Sequence, residues 1–122
     1  MSKAVLVIDD HQDFQDLMGI TLRRAGYEVW QANSAIGALK LLQERLPDCV
    51  VLDIMLPDRS GIEVLENIRW DARLAALPVI CVSAAKFGGE SLAFINEFAV
   101  GLLDKADLHQ LPEQLKQLIG PA

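Results

Sequence analysis

The chain has 122 residues, of which 52% are hydrophobic and 23% are charged. At roughly 150 residues per domain, this length predicts a single domain over residues 1–122, and the composition excludes disordered and collagen-like chains. Asp and Glu outnumber Lys and Arg by 17 to 11, for a formal net charge of -6. Because such a surface repels phosphate backbones and anionic lipid, direct binding to nucleic acid or to a membrane surface is not expected.

The cysteines and the amino-terminal sequence bear on the compartment. Cys49 and Cys81 stand within apolar runs without CxxC spacing, which is typical of small core residues rather than of a disulfide framework or a zinc site. The first apolar run, at 4–8, is shorter than the apolar region of a signal peptide. No segment approaches the ~20 apolar residues of a membrane span. We therefore expect a soluble, cytoplasmic protein.

Short apolar runs alternate along the chain with segments of helical periodicity. The first run is continuous and rich in β-branched residues, as expected of a strand that is covered on both faces. In chain order, the pattern predicts strand 4–8, helix 12–25, strand 27–32, a helix between Asn33 or Ser34 and Pro47, strand 49–52, helix 62–70, strand 78–82, helix 90–98, strand 100–103 and helix 112–119. This β-α alternation predicts a mostly parallel sheet with helices on both faces, joined by right-handed crossovers.

Polar side chains collect where these predicted strands end. Asp9 and Asp10 follow the first strand, Asp53 the third, Ser83 the fourth and Lys105 the fifth. Taken singly, each has a plainer interpretation as a helix cap, a turn residue, a loop hydroxyl or a solvated lysine. Ligands of open α/β sheets, however, bind outside the carboxyl ends of the strands, so we expect these side chains to meet.

Such a meeting would place three carboxylates together, and they repel one another unless a cation is present. Mg²⁺ prefers oxygen ligands and resolves this conflict, while the lysine supplies a second positive charge. The set therefore favours phosphoryl transfer, in which an aspartate is an accepted covalent acceptor.

The ordered set of motifs resembles the receiver domain of two-component response regulators, over essentially the whole chain. The motifs are Val7-Ile8-Asp9-Asp10, the run from Val50 to Pro57 followed by Gly61, the run Pro78-Val79-Ile80 leading to Ser83-Ala84, and Lys105. The resemblance implies a flavodoxin-like, three-layer (βα)5 fold with a five-stranded parallel sheet in the order 2-1-3-4-5. It also implies a signalling protein that is phosphorylated and switches partner binding, rather than a turnover enzyme.

The resemblance implies a role for each acidic residue. Asp53 would be the phosphoacceptor, taking a phosphoryl group from a phosphohistidine on a histidine kinase or a histidine phosphotransfer protein. Asp10, Asp53 and the backbone carbonyl of Met55 would bind Mg²⁺ or Mn²⁺, with Asp9 assisting directly or through water.

Three further positions complete the implied site. Lys105 would pair with the aspartate and then with the phosphoryl oxygens, and Ser83 would donate a hydrogen bond to the phosphoryl group. Ala84 fits the small residue that the family prefers beside the site.

The chain departs from the family pattern at two positions. Ala106 stands where the family usually has a proline on a cis peptide bond. A cis bond before a residue other than proline costs about 2.5–4 kcal/mol, so we expect a trans bond here. Whether Lys105 still reaches the aspartates is then an open question for the sequence. Leu102 stands where an aromatic residue commonly changes rotamer together with the hydroxyl residue. These departures motivate a second hypothesis, a receiver-fold interaction module that works independently of phosphorylation.

Two enzyme or cofactor-binding functions fit the sequence less well. An aspartyl-phosphate phosphohydrolase typically needs a second carboxylate two residues beyond its nucleophile, where this chain has Met55. A dinucleotide-binding domain needs GxGxxG after the first strand, and acidic residues stand there instead.

Some features are left outside the implied site. His11 is interpreted as an exposed residue at the start of a helix. Apolar residues near the fourth helix and fifth strand, including Leu92 and Leu102, fit either core packing or a homodimer through the side formed by the fourth helix, fifth strand and fifth helix. No output domain is recognised, so the chain is either a stand-alone receiver or a piece of a larger regulator or hybrid kinase, with an unidentified downstream effector.

Overall fold

The computed structural model describes residues 2–86 and 88–122. In these residues, five strands alternate with five α-helices. The strands are β1 (Ala4–Ile8), β2 (Glu28–Ala32), β3 (Cys49–Asp53), β4 (Val79–Ser83) and β5 (Gly101–Asp104). The helices are α1 (Gln12–Arg24), α2 (Ala35–Glu44), α3 (Gly61–Trp70), α4 (Gly89–Phe98) and α5 (Leu111–Ile119), and a 3₁₀ helix (Lys105–Gln110) precedes α5.

The strands form one sheet in the order β2-β1-β3-β4-β5, and every pairing is parallel. All residues of β1, β3 and β4 are buried, which explains why these strands are continuous apolar runs rather than alternating ones. The flavodoxin-like fold and the strand order that the resemblance implied are confirmed.

The apolar core lies in two layers, one on each face of the sheet. Alternate residues of a strand point to opposite faces, so Leu6 and Ile8 join one layer while Val5 and Val7 join the other. Helices α2, α3 and α4 cover the first layer, and α1 and α5 cover the second.

The two cysteines belong to this core, as predicted. Cys49 and Cys81 are free and buried, in opposite layers. Burial raises the pKa of each thiol to about 12, because the apolar surroundings penalise the thiolate. Neither sulfur is therefore a reactive nucleophile or an available metal ligand.

Several element boundaries differ from the prediction by a residue or two. Strand β3 extends through Asp53, and β4 begins at Val79 rather than Pro78, although the Pro78 carbonyl accepts a hydrogen bond from the Val50 amide. The 3₁₀ helix after β5 was not predicted. It begins where the Asp104 side chain accepts a hydrogen bond from the Ala106 amide, a local contact that apolar periodicity does not reveal.

Among the residues that the structure describes, none of the helices combines the length and the apolar character needed to cross a membrane.

Candidate phosphoacceptor site

The predicted site residues lie at the carboxyl edge of the sheet. Ile8 pairs with Leu52, so the residues that follow them, Asp9 and Asp53, leave two neighbouring strands at the same level. Side-chain oxygens of these two aspartates and of Asp10 lie, with a ring nitrogen of His11, within 4.8 Å of one another. The parallel register thus brings together carboxylates that are far apart in the sequence.

Lys105 supplies the positive charge of this cluster. Its Nζ lies 2.8 Å from Asp9 Oδ2 and 3.3 Å from Asp53 Oδ2. Within 2–86 and 88–122 no peptide bond is cis, so the bond between Lys105 and Ala106 is trans, as expected. The long side chain nevertheless reaches both carboxylates, so the alanine does not prevent the lysine from joining the site.

The environment of Lys105 stabilises its ammonium form. Burial alone would lower the pKa of this lysine, but its close contact with Asp9 and the charge of Asp53 outweigh burial, so its pKa lies above the ordinary value. The ammonium also lies 4.6 Å from the centre of the Phe14 ring, within the range of a cation–π interaction. The contact between Lys105 Nζ and Asp9 Oδ2, at 2.8 Å, is an ion pair.

Asp53 is held in a less favourable environment for its charge. Its side chain is 2% exposed, and burial is the main reason that its pKa is raised above the ordinary value. The Met55 amide, which donates to Asp53 Oδ1 at 3.1 Å, lowers the pKa, the charge of Asp9 raises it, and Lys105 lowers it. The ammonium of Lys105 and the Met55 amide together therefore do not offset the effects of burial and of the Asp9 charge on the pKa of Asp53.

This charge balance is a test of whether the residues fit a divalent cation. The three clustered carboxylates of Asp9, Asp10 and Asp53 face one lysine, and Asp10 is exposed to solvent while the other two are buried. An oxygen-rich site with excess negative charge and one face open to water suits a hard cation that retains several water ligands. The donor set therefore fits Mg²⁺ or Mn²⁺.

Gln15 positions the end of β1 beneath the cluster. This buried side chain projects from α1, and its Nε2 donates to the carbonyls of Val7, Asp9 and Ala32 at 3.1, 3.0 and 2.9 Å. Two hydrogens shared among three carbonyls tie β1 to β2 at the point where Asp9 leaves the sheet. This role was not predicted from the sequence, although a glutamine between Phe14 and Met18, on the apolar face of the predicted helix, is a signal for it.

The loop between β3 and α3 carries the Met55 carbonyl and is fixed at two places. Asp58 accepts hydrogen bonds from the Ala35 and Ile36 amides at 2.9 and 3.0 Å, which caps α2, and these bonds lower the pKa of Asp58. At the other end, the Gly61 amide donates to the Ile54 carbonyl at 2.7 Å. This loop is therefore held by contacts to two different helices.

Gly61 is predicted to be essential for this loop. A β-carbon there would collide with the Asp53 carbonyl oxygen and lie 2.6 Å from Ile54 Cα, and these are backbone atoms that cannot rotate away. We expect Gly61→Ala to lower the free energy of unfolding by at least ~2 kcal/mol, measured by urea unfolding. In the control variant Gly88→Ala, the new carbon has no atom within 4 Å among the described residues other than its chain neighbours, and the expected loss is below ~1 kcal/mol. Equal losses in both variants would contradict the close-approach argument.

Ser83 lies at the same edge, one strand further along. It pairs in register with Asp104, and its hydroxyl accepts a hydrogen bond from the Ala85 amide at 3.0 Å. Beside it is a cavity of about 390 Å³ that Leu92 and Leu102 help to line. Leu102, at the position where the family commonly has an aromatic residue, is 36% exposed.

A model of the response regulator receiver domain family matches residues 5–116. The chain belongs to this family. Receiver domains act in two-component signalling and are generally signalling modules rather than turnover enzymes. The resemblance inferred from the sequence motifs is thereby confirmed.

Curated relatives of this receiver domain include regulators of different kinds. It is 34% identical over 90 residues to the polar-differentiation response regulator DivK of Brucella ovis, a match that covers 74% of this chain and 73% of DivK. It is 40% identical over 80 residues to the DNA-binding dual master transcriptional regulator RpaA of Synechocystis, and that match covers 66% of this chain and 33% of RpaA.

Solved receiver structures superimpose on nearly the whole chain. The response regulator TrrA of Thermotoga maritima, in complex with Mg²⁺-BeF, has a TM-score of 0.84 and 30% identity over 95% of this chain and 98% of its own. The chemotaxis protein CheY4 of Vibrio cholerae has a TM-score of 0.87 and 24% identity over 97% and 99%. At that identity the second likeness concerns the fold alone.

Proposed function

We propose that this receiver domain, over residues 1–122, accepts a phosphoryl group on Asp53 from a phosphohistidine of a histidine kinase or a histidine phosphotransfer protein in the cytoplasm. The observation that carries the proposal is the meeting of Asp53 and Asp9 with Lys105 at the sheet edge. In the transfer, a carboxylate oxygen of Asp53 forms a bond to phosphorus, the P–N bond of the donor breaks, and the imidazole leaves with that electron pair.

The neighbouring residues take complementary roles in this proposal. Asp9, Asp10, Asp53 and the Met55 carbonyl hold Mg²⁺ or Mn²⁺, which when bound neutralises charge on the transferred phosphoryl oxygens. Lys105, already 3.3 Å from Asp53 Oδ2, pairs with a phosphoryl oxygen. Ser83 exchanges its contact with the Ala85 amide for a hydrogen bond that it donates to the phosphoryl group. The response regulator TrrA, which is 30% identical, is in complex with Mg²⁺-BeF, and this supports a divalent-cation site in the present receiver domain.

The proposal is tested by mass spectrometry of the intact chain after incubation with Mg²⁺ and acetyl phosphate as a small phosphodonor. We expect the wild type to gain one phosphoryl group, and the gain to disappear in Asp53→Asn or when the metal is chelated. The exposed Asp13, in the first turn of α1, provides the control Asp13→Asn, which should be phosphorylated normally. An adduct that persists in Asp53→Asn would refute the assignment.

Leu102 favours a second candidate, an interaction module that does not respond to phosphorylation, because this exposed leucine replaces the commonly aromatic position. The same phosphorylated sample separates the two functions. In NMR spectra of a phosphorylation-dependent switch, phosphorylation should change the amide chemical shifts along α4 and β5 as well as around Asp53. In an interaction module that does not respond to phosphorylation, only the shifts around Asp53 should change.

A further inference from the structure

His11 lies against the acidic cluster rather than away from it. Its exposed ring places Nδ1 3.1 Å from Asp9 Oδ1 and 3.3 Å from Asp10 Oδ1, and its backbone amide donates to the same Asp9 oxygen at 2.8 Å. The ring makes no capping hydrogen bond to α1, although His11 is the N-cap residue. It is thus exposed at the start of a helix, as expected, but its ring also faces two carboxylates.

These separations match the spacing of ligands around one transition-metal ion. Two ligand atoms that are each about 2.1 Å from a metal lie roughly 3.0 Å apart at a right angle and about 3.4 Å apart at a tetrahedral angle. The distances from His11 Nδ1 to the oxygens of Asp9 and Asp10 fall within this interval. A carboxylate oxygen of Asp53 belongs to a set of ligand atoms, one from each of Asp9, Asp10, His11 and Asp53, that lie within 4.8 Å of one another.

A nitrogen ligand changes which cation such a site prefers. Mg²⁺ selects oxygen ligands and gains little from imidazole, whereas Zn²⁺, Ni²⁺ and Co²⁺ bind imidazole strongly and generally exceed the alkaline-earth ions in affinity. Thiolates offer no competing site, because Cys49 and Cys81 are buried.

We propose that His11 is a direct ligand at the acidic cluster, and that it makes this receiver domain bind Zn²⁺-class ions in preference to Mg²⁺. This inference rests on the proposed divalent-cation site at Asp9, Asp10 and Asp53. An ion held in this way occupies the position proposed for Mg²⁺, so Zn²⁺ and Mg²⁺ compete for one site.

The test is isothermal titration calorimetry of the full chain with Zn²⁺ and separately with Mg²⁺, at one neutral pH. We expect His11→Gln to weaken Zn²⁺ binding by about tenfold or more and to change Mg²⁺ binding by less than about threefold. The exposed His109, in the 3₁₀ helix, gives the matched control His109→Gln, which should bind both ions as the wild type does. In NMR spectra, Zn²⁺ should shift the ring signals of His11 and leave those of His109 unchanged.

Each contrary outcome overturns the inference in a recognisable way. Unchanged Zn²⁺ affinity in His11→Gln would reduce His11 to an exposed helix-start residue. Equal losses for Zn²⁺ and Mg²⁺ would mean that the ring only orients the carboxylates of Asp9 and Asp10. If neither ion binds the wild type, or if Asp53→Asn binds each ion as tightly as the wild type does, the proposed metal site itself is refuted. Circular dichroism of the variants confirms that they remain folded.

Discussion

Asp53→Asn is expected to raise the free energy of unfolding at neutral pH, in metal-free buffer, by about 1–3 kcal/mol. The substitution removes one negative charge from a cluster in which each pair of charges interacts by about 4 kcal/mol at 4 Å and an effective dielectric constant of about 20. The lost attraction to Lys105, which lies 3.3 Å away, offsets part of this gain. Asparagine has the same shape and can still accept a hydrogen bond from the Met55 amide.

The pH dependence of this effect follows from the direction of the pKa shift. Burial, aided by the charge of Asp9, raises the pKa of Asp53 in the folded protein. The native state therefore holds a proton at a pH where the unfolded chain has lost it, and stability falls as the pH rises through the folded pKa. The advantage of Asp53→Asn should be greatest above the folded pKa of Asp53 and should vanish below about pH 3.9, the ordinary pKa of aspartate.

Urea unfolding as a function of pH measures this difference directly. Asp13→Asn, at an exposed position of α1, is the control and should unfold like the wild type. If the proposed metal site is correct, added Mg²⁺ should stabilise the folded wild type by mass action and reduce the difference in stability between the wild type and Asp53→Asn. A variant that is less stable than the wild type at neutral pH would show that the ion pair with Lys105 outweighs the repulsion.

Lys105→Met is expected to have the opposite effect and to lower the free energy of unfolding by about 2–4 kcal/mol. Removing one partner of a buried ion pair typically costs about 3–5 kcal/mol, and the 18% exposure of the lysine side chain places this case toward the lower end. Methionine retains most of the length and packing of the side chain. The loss therefore reports the carboxylates of Asp9 and Asp53, which remain without their cation.

A double-variant cycle separates this charge effect from lost packing. Asp53→Asn removes one of the two carboxylates that Lys105→Met leaves without a cation. The loss in free energy of unfolding caused by Lys105→Met should therefore be smaller in the Asp53→Asn background. Lys40→Met, at an exposed position of α2, is the control and should change stability by less than ~0.5 kcal/mol. Equal Lys105→Met losses in both backgrounds would show that the lysine stabilises the fold through packing alone.

Much of the fold could be predicted from the sequence because its signals are local. The run Ala4–Ile8 is apolar at every position, and the β-α alternation admits a parallel sheet with both faces covered. The convergence of Asp9, Asp53 and Lys105 follows from the same alternation, since parallel strands end at one edge. The family motifs then implied the strand order, which the apolar periodicity of single strands and helices does not predict.

The details of the site depend on contacts between residues that are distant in the chain. No pattern in the sequence shows that Asp58 caps α2 or that a β-carbon at Gly61 would meet the backbone of β3, and the position of Gln15 on an apolar helix face does not identify the Ala32 carbonyl as its partner. Each of these facts depends on how two elements approach each other in space. The sequence alone therefore predicted the type of site, and the tertiary structure supplied the contacts that hold it in place.

His11 and Lys105 illustrate the same division most clearly. The local sequence predicts that His11 lies at the start of a helix and that the bond between Lys105 and Ala106 is trans, and both predictions are correct. Whether their side chains face the carboxylates depends on rotamers and on the spacing between strands, which local periodicity does not encode. The sequence alone predicted where the strands end and which residue types stand there. The direction of each side chain came only from packing, because that direction is set by neighbours from other strands and helices.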